Sequence, residues 1–375
     1  MICPNVQKDI VNSCAKETLK AIFEDLNGDY FGILIDESKD VSHKEQMALV
    51  LRYVNKEGKL IERFLGVVHV KDTCARSLKD AICSLLLEHN LSSSHIQGQG
   101  YDGASNMQGE FNGLKTLIMK DTPSAYSVHC FVHQLQLTLV AVAKKHHECR
   151  EMLRDDQTEK LEELLMLGEV HTGNGLNQEL ELQKAGDTRW SSHFKTVVIY
   201  LQLGKLNSRF DEVNTDLLLS MASLSPDNSF VNYDKNRIIK LATYYPNEFS
   251  ASMLEDLSFE LDNYIAYVRQ RNNNFSKLKR LGDLLETLVK TNLHKTWTLV
   301  YLLVKLSLTL PVATATVKRA FSSMKYIKND LRSRIDDEFL NDCLVCYIED
   351  EVFETVHNET IIDRFQNMTS RRVRL

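Results

Sequence analysis

The sequence predicts an α/β fold built on one mixed β-sheet. Five segments have the apolar content and length of strands, at 30–36, 46–54, 60–70, 95–101 and 125–129. The first three follow one another closely, and the turn Lys56-Glu57-Gly58-Lys59 joins the second to the third, which indicates an antiparallel meander. Each of the last two follows a helical segment, at 76–90 and 109–120. A meander that continues through helical crossovers is typical of a mixed sheet.

Helical periodicity accounts for the rest of the first half. In residues 6–26 apolar side chains recur every three to five residues, which predicts a helix before the first strand. Residues 76–90 form an amphipathic pattern, and a long helix is predicted from about 131 to 147. This order of strands and helices is the one expected of a ribonuclease H-like core.

Strand patterns fade in the second half of the chain. Residues 148–290 are dominated by helical periods, which predicts a helical insertion, and three further helices are predicted at 294–310, 315–335 and 337–353. The middle one carries a single apolar stripe, which must pack against another surface. Its members are Val317, Ala320, Phe321, Met324, Ile327, Leu331 and Ile335.

Composition and charge exclude several classes of protein. With 375 residues and 43% hydrophobic content the chain can bury a large core. A net charge of −6 argues against a surface that is basic throughout, so nucleic-acid contacts would have to use local patches. The apolar run 298–315 is broken by Lys305 and Pro311 and suits a buried helix better than a membrane span. Without a signal-peptide pattern, the sequence predicts an intracellular protein with no membrane partner.

Two aspartates stand where a metal-dependent nuclease would need them. Asp36 closes the apolar run 31–35, and Asp102 follows the fourth predicted strand, before a glycine-containing turn. In a sheet of this order these two strands are neighbours. Cleavage of polynucleotides commonly uses two divalent cations held by converging carboxylates, and magnesium prefers such oxygen ligands. With 51 acidic residues in the chain, an aspartate after an apolar strand is also commonplace.

Five ordered motifs resemble those of the hAT superfamily of transposases, and most closely its plant members described as zinc finger MYM-type protein 1-like or TTF-type. These motifs are Ile33-Leu34-Ile35-Asp36-Glu37-Ser38, Gly98-Gln99-Gly100-Tyr101-Asp102-Gly103-Ala104-Ser105-Asn106-Met107, Cys130-Phe131-Val132-His133-Gln134-Leu135, Thr188-Arg189-Trp190 and Ala320-Phe321-Ser322-Ser323-Met324-Lys325. The resemblance covers nearly the whole chain.

The resemblance implies a ribonuclease H-like transposase core, interrupted by a helical insertion and completed by a C-terminal dimerisation region. In that family the first two catalytic acids match Asp36 and Asp102, the ancestral site for Mg or Mn. The third is a glutamate in a Thr-x-Glu-Arg-x-Phe-Ser motif, and this chain has Lys318 there, in Thr316-Val317-Lys318-Arg319-Ala320-Phe321-Ser322.

An ammonium in place of a carboxylate both removes a metal ligand and repels the cations, at a cost of several kcal/mol in a partly desolvated site. We therefore expect an inactive, domesticated or degenerate protein with no cofactor and with a weak or empty ancestral metal site. Asp330 and Glu349 are the weighed substitutes for the missing acid, and both are more than a helical turn from Lys318 in the sequence. The alternatives are an active DNA transposase with metal-dependent cleavage, or a nuclear DNA-associated regulator.

The resemblance also implies the organisation of the chain and its place in the nucleus. The predicted parts are the first part of the ribonuclease H-like core at 1–147, a shortened helical insertion at 148–290, the dimerisation region with the final core helices at 291–355, and a tail at 356–375. The family's usual N-terminal zinc-binding module is missing from this sequence, which predicts a truncated copy.

Several other residues are candidates for binding. Arg189, Trp190, Arg319 and Lys325 are candidates for DNA contact, although the tryptophan also suits a domain junction and the cations also suit a solvated face. Cys130 and His133 suit packing better than a zinc site, because no second ligand pair follows at finger spacing.

Protein dimerisation is the predicted activity, with an identical chain or a related hAT protein as partner and with DNA as a possible further partner. Apolar stripes on the C-terminal helices supply the predicted surface, although some of their members can face the core instead. The dimerisation candidates are Leu303, Leu306, Phe321, Met324, Leu340 and Leu344.

Overall fold

The computed structural model describes residues 3–101, 105–109, 112–129, 212–270, 274–311 and 313–368. Within these ranges the chain forms a five-stranded sheet with helices against both of its faces. None of the helices in the described ranges is long and apolar enough to cross a bilayer.

The first part of the chain contains all the strands of this sheet. Its elements are α1 (Pro4–Leu26), β1 (Phe31–Lys39), β2 (Glu45–Val54), β3 (Leu60–His69), α2 (Ala75–Glu88), β4 (Ile96–Tyr101), α3 (Ser105–Gln108), α4 (Leu114–Asp121) and β5 (Tyr126–His129). The five predicted strands and the helices before and between them are confirmed, with boundaries shifted by a few residues. The predicted helix at 131–147 lies outside the described residues.

The sheet is mixed, with the strand order β3-β2-β1-β4-β5. β1 pairs antiparallel with β2, and β2 with β3, as expected for a meander. β1 pairs parallel with β4, and β4 with β5, because a helical segment returns the chain to the same end of the sheet before each of these strands. The predicted α/β class with a ribonuclease H-like strand order is therefore confirmed.

The central strand β1 is covered on both faces, which explains its continuous apolar run from Phe31 to Ile35. Phe31 is the register partner of Tyr53, whose hydroxyl donates to Asp25 of α1, so this face is covered by the N-terminal helix. The alternate residues of β1, which include Gly32 and Asp36, point to the opposite face. The C-terminal half of the chain covers that face.

Glycines allow this cover to lie directly on the strands. A Cβ atom on Gly32 would lie 2.1 Å from the carbonyl oxygen of Thr309, and one on Gly98 would lie 2.8 Å from Cδ of Pro311. Real side chains do not approach backbone this closely, so a larger residue would force the segment away from the sheet. The two glycines therefore mark where residues 309–311 cross β1 and β4.

The second part of the described chain is helical. Its elements are α5 (Glu212–Ala222), α6 (Asp227–Phe230), α7 (Lys235–Thr243), α8 (Ala251–Gln270), α9 (Leu281–Lys290), α10 (Thr298–Thr309), α11 (Ala315–Ile327), α12 (Asp337–Ile348), α13 (Asp350–Phe353) and α14 (Asn358–Asn367). The helical character predicted for 148–290 holds for its described portion, which begins in α5.

The six dimerisation candidates are all buried inside the chain itself. Leu303 and Leu306 of α10 belong to a core formed with α5 to α9, whereas the α11 and α12 residues belong to the core of the sheet. The latter four are Phe321, Met324, Leu340 and Leu344. Their apolar stripes therefore pack within the chain. The structure corrects the prediction that these six residues contact a partner, because buried side chains offer no surface to a second molecule.

The helix predicted at 315–335, with its apolar stripe, is shorter in the structure than the sequence pattern indicates. α11 ends at Ile327, since Lys328 adopts an extended conformation and Asn329 accepts a hydrogen bond from the amide of Leu331 in a following turn. As a result Leu331 leaves the stripe and is 97% exposed. The helix predicted at 337–353 is likewise divided at Glu349 into α12 and α13.

The open edge of the sheet at β3 is covered by α12 and the residue that follows it. Asn341 accepts a hydrogen bond from the amide of Val67 at 2.8 Å, and Glu349 accepts one from the amide of Phe64 at 2.5 Å. These side chains satisfy backbone groups that would otherwise be free to pair with another strand. The edge is thus blocked by the C-terminal helices.

We predict that Gly32→Ala lowers the free energy of unfolding by at least about 2 kcal/mol, because the added methyl group collides with the backbone at Thr309. Gly282→Ala is the matched control, since a Cβ atom at this helical position meets nothing within 4 Å. The control is expected to raise stability by up to about 1 kcal/mol. Urea denaturation followed by circular dichroism measures both, and similar small effects would contradict the close approach at Gly32.

Candidate metal-dependent active site

Asp36 lies near the end of β1, on the face that the C-terminal half covers. It is partly buried, and its register partner on β2 is Ala48. Its Oδ1 atom accepts a hydrogen bond from the amide of Glu37 at 3.0 Å. A carboxylate in this position has the right charge and partial exposure to take part in a cation site at the strand end.

The strand that leads to Asp102 lies directly beside β1. The parallel register pairs Ile33 with Gln99 and Leu34 with Gly100, and Tyr101 is the last residue of β4. The prediction that these two strands are neighbours is confirmed. Asp102 itself lies outside the described residues.

A side-chain contact joins the end of β1 to α3. Glu37 points to the face opposite Asp36, and its Oε1 atom accepts a hydrogen bond from the side-chain amide of Asn106 at 2.9 Å. The same amide group donates to the carbonyl of Thr73 at 2.8 Å. The acidic residue next to Asp36 thus holds α3 against the end of β1. The alternation of side chains along β1 was the available signal for this role.

α11 crosses the sheet obliquely, from the start of β3 to the end of β1. Near its beginning, Thr316 donates a hydrogen bond to Glu62, which also accepts from Arg52 at 2.5 Å. Just after its end, Lys328 donates to Asp40 at 2.7 Å, one residue beyond β1. The helix is therefore held at its beginning by the edge strand β3 and at its end by the residue that follows β1, the strand of Asp36.

This orientation decides which way Lys318 points. At about 100° per residue, Lys318 and Lys325 share one flank of α11, and Thr316 lies on the other flank. Because the Thr316 flank faces β3, the flank with Lys318 faces toward β1 and β4. The Lys318 side chain is exposed, and within the described ranges its ammonium group has no acidic partner. In the part of the chain that the structure describes, Lys318 is therefore an exposed cation without an acidic partner, on the flank of α11 that is directed toward β1 and β4.

The buried pair of Lys328 and Asp40 is the strongest electrostatic feature near the candidate site. Both side chains are inaccessible to solvent. Asp40 also accepts hydrogen bonds from the Gln46 side chain at 3.0 Å and from the amides of Ser42 and Lys44. Burial alone would raise the pKa of Asp40, but these hydrogen bonds, led by the one from Lys328, outweigh it and lower the pKa.

We predict that Lys328→Met lowers the free energy of unfolding by about 3–5 kcal/mol, because it leaves the Asp40 carboxylate buried without its cation. The double variant Lys328→Met, Asp40→Asn is expected to be clearly more stable than the single one. Lys8→Met, which breaks the exposed pair of Lys8 with Asp336, is the control and should change stability little. Additive losses in the double variant would contradict a coupled buried pair.

The lowered pKa of Asp40 also predicts a dependence of stability on pH. A carboxylate with a depressed pKa stabilises the folded state above its unfolded pKa of about 3.9, and this contribution is lost as pH falls through the folded value. The stability difference between the native chain and the double variant should be constant above about pH 5 and shrink below about pH 4. Urea midpoints across this range measure it, and a difference independent of pH would count against the assignment.

The two acidic residues weighed as substitutes for a third carboxylate, Glu349 and Asp330, lie in different surroundings. Glu349 is buried at the β3 edge, where it binds Arg63 at 3.1 Å in addition to the amide of Phe64. Burial raises its pKa, against the hydrogen bond from Phe64 and the charge of Arg63, which lower it. Asp330 is exposed in the turn after α11. In the described part of the chain, no three His, Cys, Asp or Glu side chains come together to hold a metal.

Of the remaining candidate binding residues, some are exposed in the structure and the others lie outside the described ranges. Arg319 and Lys325 are exposed on α11, and Arg319 donates to the hydroxyl of Thr316 at 3.2 Å. The predictions for Arg189 and Trp190, and for Cys130 with His133, fall on residues outside the described ranges.

The comparison with known protein families agrees with the fold of the first part of the chain. Residues 1–113 match a family model described as ZMYM1/FAM200, RNase-like domain. The match contains α1, β1 to β4 and the position of both aspartates, and it ends before α4. The part of the sheet formed by β1 to β4 is thus similar to an RNase-like domain of this family.

Proposed function

We propose that this chain is a domesticated or degenerate hAT transposase-like protein that has lost metal-dependent strand cleavage and acts through protein dimerisation in the nucleus. Its RNase-like sheet supports a transposase-derived origin, since β1 and β4 hold the strand positions that such a catalytic site uses. In this proposal the fold survives as a scaffold, and the C-terminal region provides the contact with a second protein.

Lys318 is the observation that carries the loss of cleavage. It stands at the sequence position of the third carboxylate and on the flank of α11 that faces β1 and β4. An ammonium group there contributes no ligand and repels a divalent cation, at a cost that grows as the site is desolvated. Two carboxylates opposed by one cation are a poor substitute for a set of three carboxylates.

Burial of the six apolar candidates limits where a partner can bind. The C-terminal helices are already used to cover the sheet and its β3 edge. Dimerisation in this region would use side chains that remain exposed, such as those on α11, on α12 and in the turn between them. A dimer with an identical chain and a dimer with a related hAT protein both fit this requirement.

DNA association is a second candidate function, favoured by a specific observation. Lys318, Arg319 and Lys325 are exposed on one helix, and within the described ranges none of them pairs with an acidic residue. Free cations at this spacing can contact phosphates even where no cleavage takes place. Such a protein would be a nuclear DNA-associated regulator.

We predict that the native chain neither binds Mn²⁺ tightly nor nicks DNA, and that Lys318→Glu gains Mn²⁺ affinity of about tenfold or more by restoring a carboxylate. Calorimetric titration with Mn²⁺ measures the gain, and a plasmid-nicking assay with Mg²⁺ or Mn²⁺ measures cleavage. Lys325→Glu is the matched control, because it makes the same charge change on the same flank, about two turns further along the helix.

Cleavage by the native chain that depends on magnesium and disappears in Asp36→Asn would overturn the proposed loss of activity. Equal gains in Mn²⁺ affinity for Lys318→Glu and Lys325→Glu would show a general charge effect and would remove Lys318 from the site.

A further inference from the structure

A patch of exposed apolar and basic side chains lies where α11 ends. Tyr326, in the last turn of the helix, is 74% exposed, and Leu331, in the turn that follows, is 97% exposed. Lys325 and Arg332 lie next to them in the chain and are exposed. We call these four residues the α11 patch. Two large apolar side chains exposed within one short segment, with exposed cations next to them in the chain, are candidates for a contact surface.

The cations of the α11 patch, Lys325 and Arg332, form no ion pair with any residue that the structure describes. Many other surface cations do, as in the pair of Lys16 with Glu88 at 2.7 Å. The same segment also contains the exposed residues Asp330 and Arg334, so together with Lys325 and Arg332 its exposed side chains carry three positive charges and one negative charge. The patch therefore combines apolar surface with unneutralised positive charge, on a chain whose net charge is −6.

A surface with an exposed aromatic side chain and the opposite charge lies on α8. Phe259 is 71% exposed, and Glu255 and Asp256 stand four and three residues before it, on the same side of the helix. Both acids are exposed, and neither has a basic partner among the described residues. We call these three residues the α8 patch. It offers an aromatic side chain beside two free carboxylates.

We propose that the α11 patch of one copy docks on the α8 patch of a second copy of this chain. Opposite charges steer the two patches together and disfavour the pairing of like patches, since two α11 patches would set unpaired cations against each other. The apolar side chains then exclude water from the contact. Because every copy carries both patches, a twofold dimer contains the contact twice. This inference rests on the proposed function and names its partner surface.

The test uses two charge-reversed variants of the full chain. The first is Lys325→Glu, Arg332→Glu, and the second is Glu255→Lys, Asp256→Lys. Sedimentation should show a dimer of the native chain and, for each variant alone, a dissociation constant weaker by about tenfold or more. A mixture of the two variants should associate again, because in that pair both contacts join opposite charges. Raising NaCl from about 50 mM to about 500 mM should weaken the native dimer.

A third variant controls for net charge. Lys71→Glu, Arg76→Glu changes two exposed cations that form no ion pair in the described part of the chain, and it alters the net charge as much as the first variant does. Its dimer should be unchanged. Equal unfolding midpoints for all variants establish that the exposed substitutions leave the fold intact.

The outcomes separate this inference from the proposed function. A native dimer that persists in both reversed variants overturns the docking surface and leaves dimerisation standing. A native chain that stays monomeric at every concentration overturns both. If the first variant loses retention on duplex DNA but keeps its self-association, the α11 patch is a nucleic-acid surface, and the inference fails.

Discussion

The buried ion pair between Lys328 and Asp40 determines how the two halves of the described chain meet. These residues are 288 positions apart, yet their charged groups lie 2.7 Å from each other with no access to solvent. Because a buried charge without its partner is costly, few other placements of α11 are tolerated. Together with the hydrogen bond from Thr316 to Glu62, the pair fixes the direction of the helix over the sheet. The facing of every residue on α11, including Lys318, follows from that direction.

The fold class and the strands were predictable because they depend on local patterns. The apolar run of β1, the turn before β3 and the helical segment before β4 each lie within a short stretch of sequence, and their order alone gives the neighbouring strands of the candidate site. The end of α11 was not predictable. The apolar stripe continues to Ile335, but the helix stops where Lys328 turns inward to Asp40, one residue beyond the first strand.

The packing partners of the apolar side chains also could not be predicted from local sequence patterns. Periodicity shows that a stripe is buried, but it does not show whether its partner is the same chain or another copy. Leu303 and Leu340 turn out to fill two different cores of one molecule. Leu331, by contrast, is exposed because the helix ends before it. For Lys318, sequence gives the charge and structure gives the flank, and the proposed loss of cleavage needs both.

The crossing of residues 309–311 over Gly32 and Gly98 has a consequence for biosynthesis. All five strands leave the ribosome before α10 and α11 are made, and at usual rates this interval lasts roughly ten to thirty seconds. During it, one face of the sheet and the β3 edge have no cover from the described helices that later protect them. This face and this edge are therefore the surfaces on which the nascent chain is most exposed to pairing with other chains.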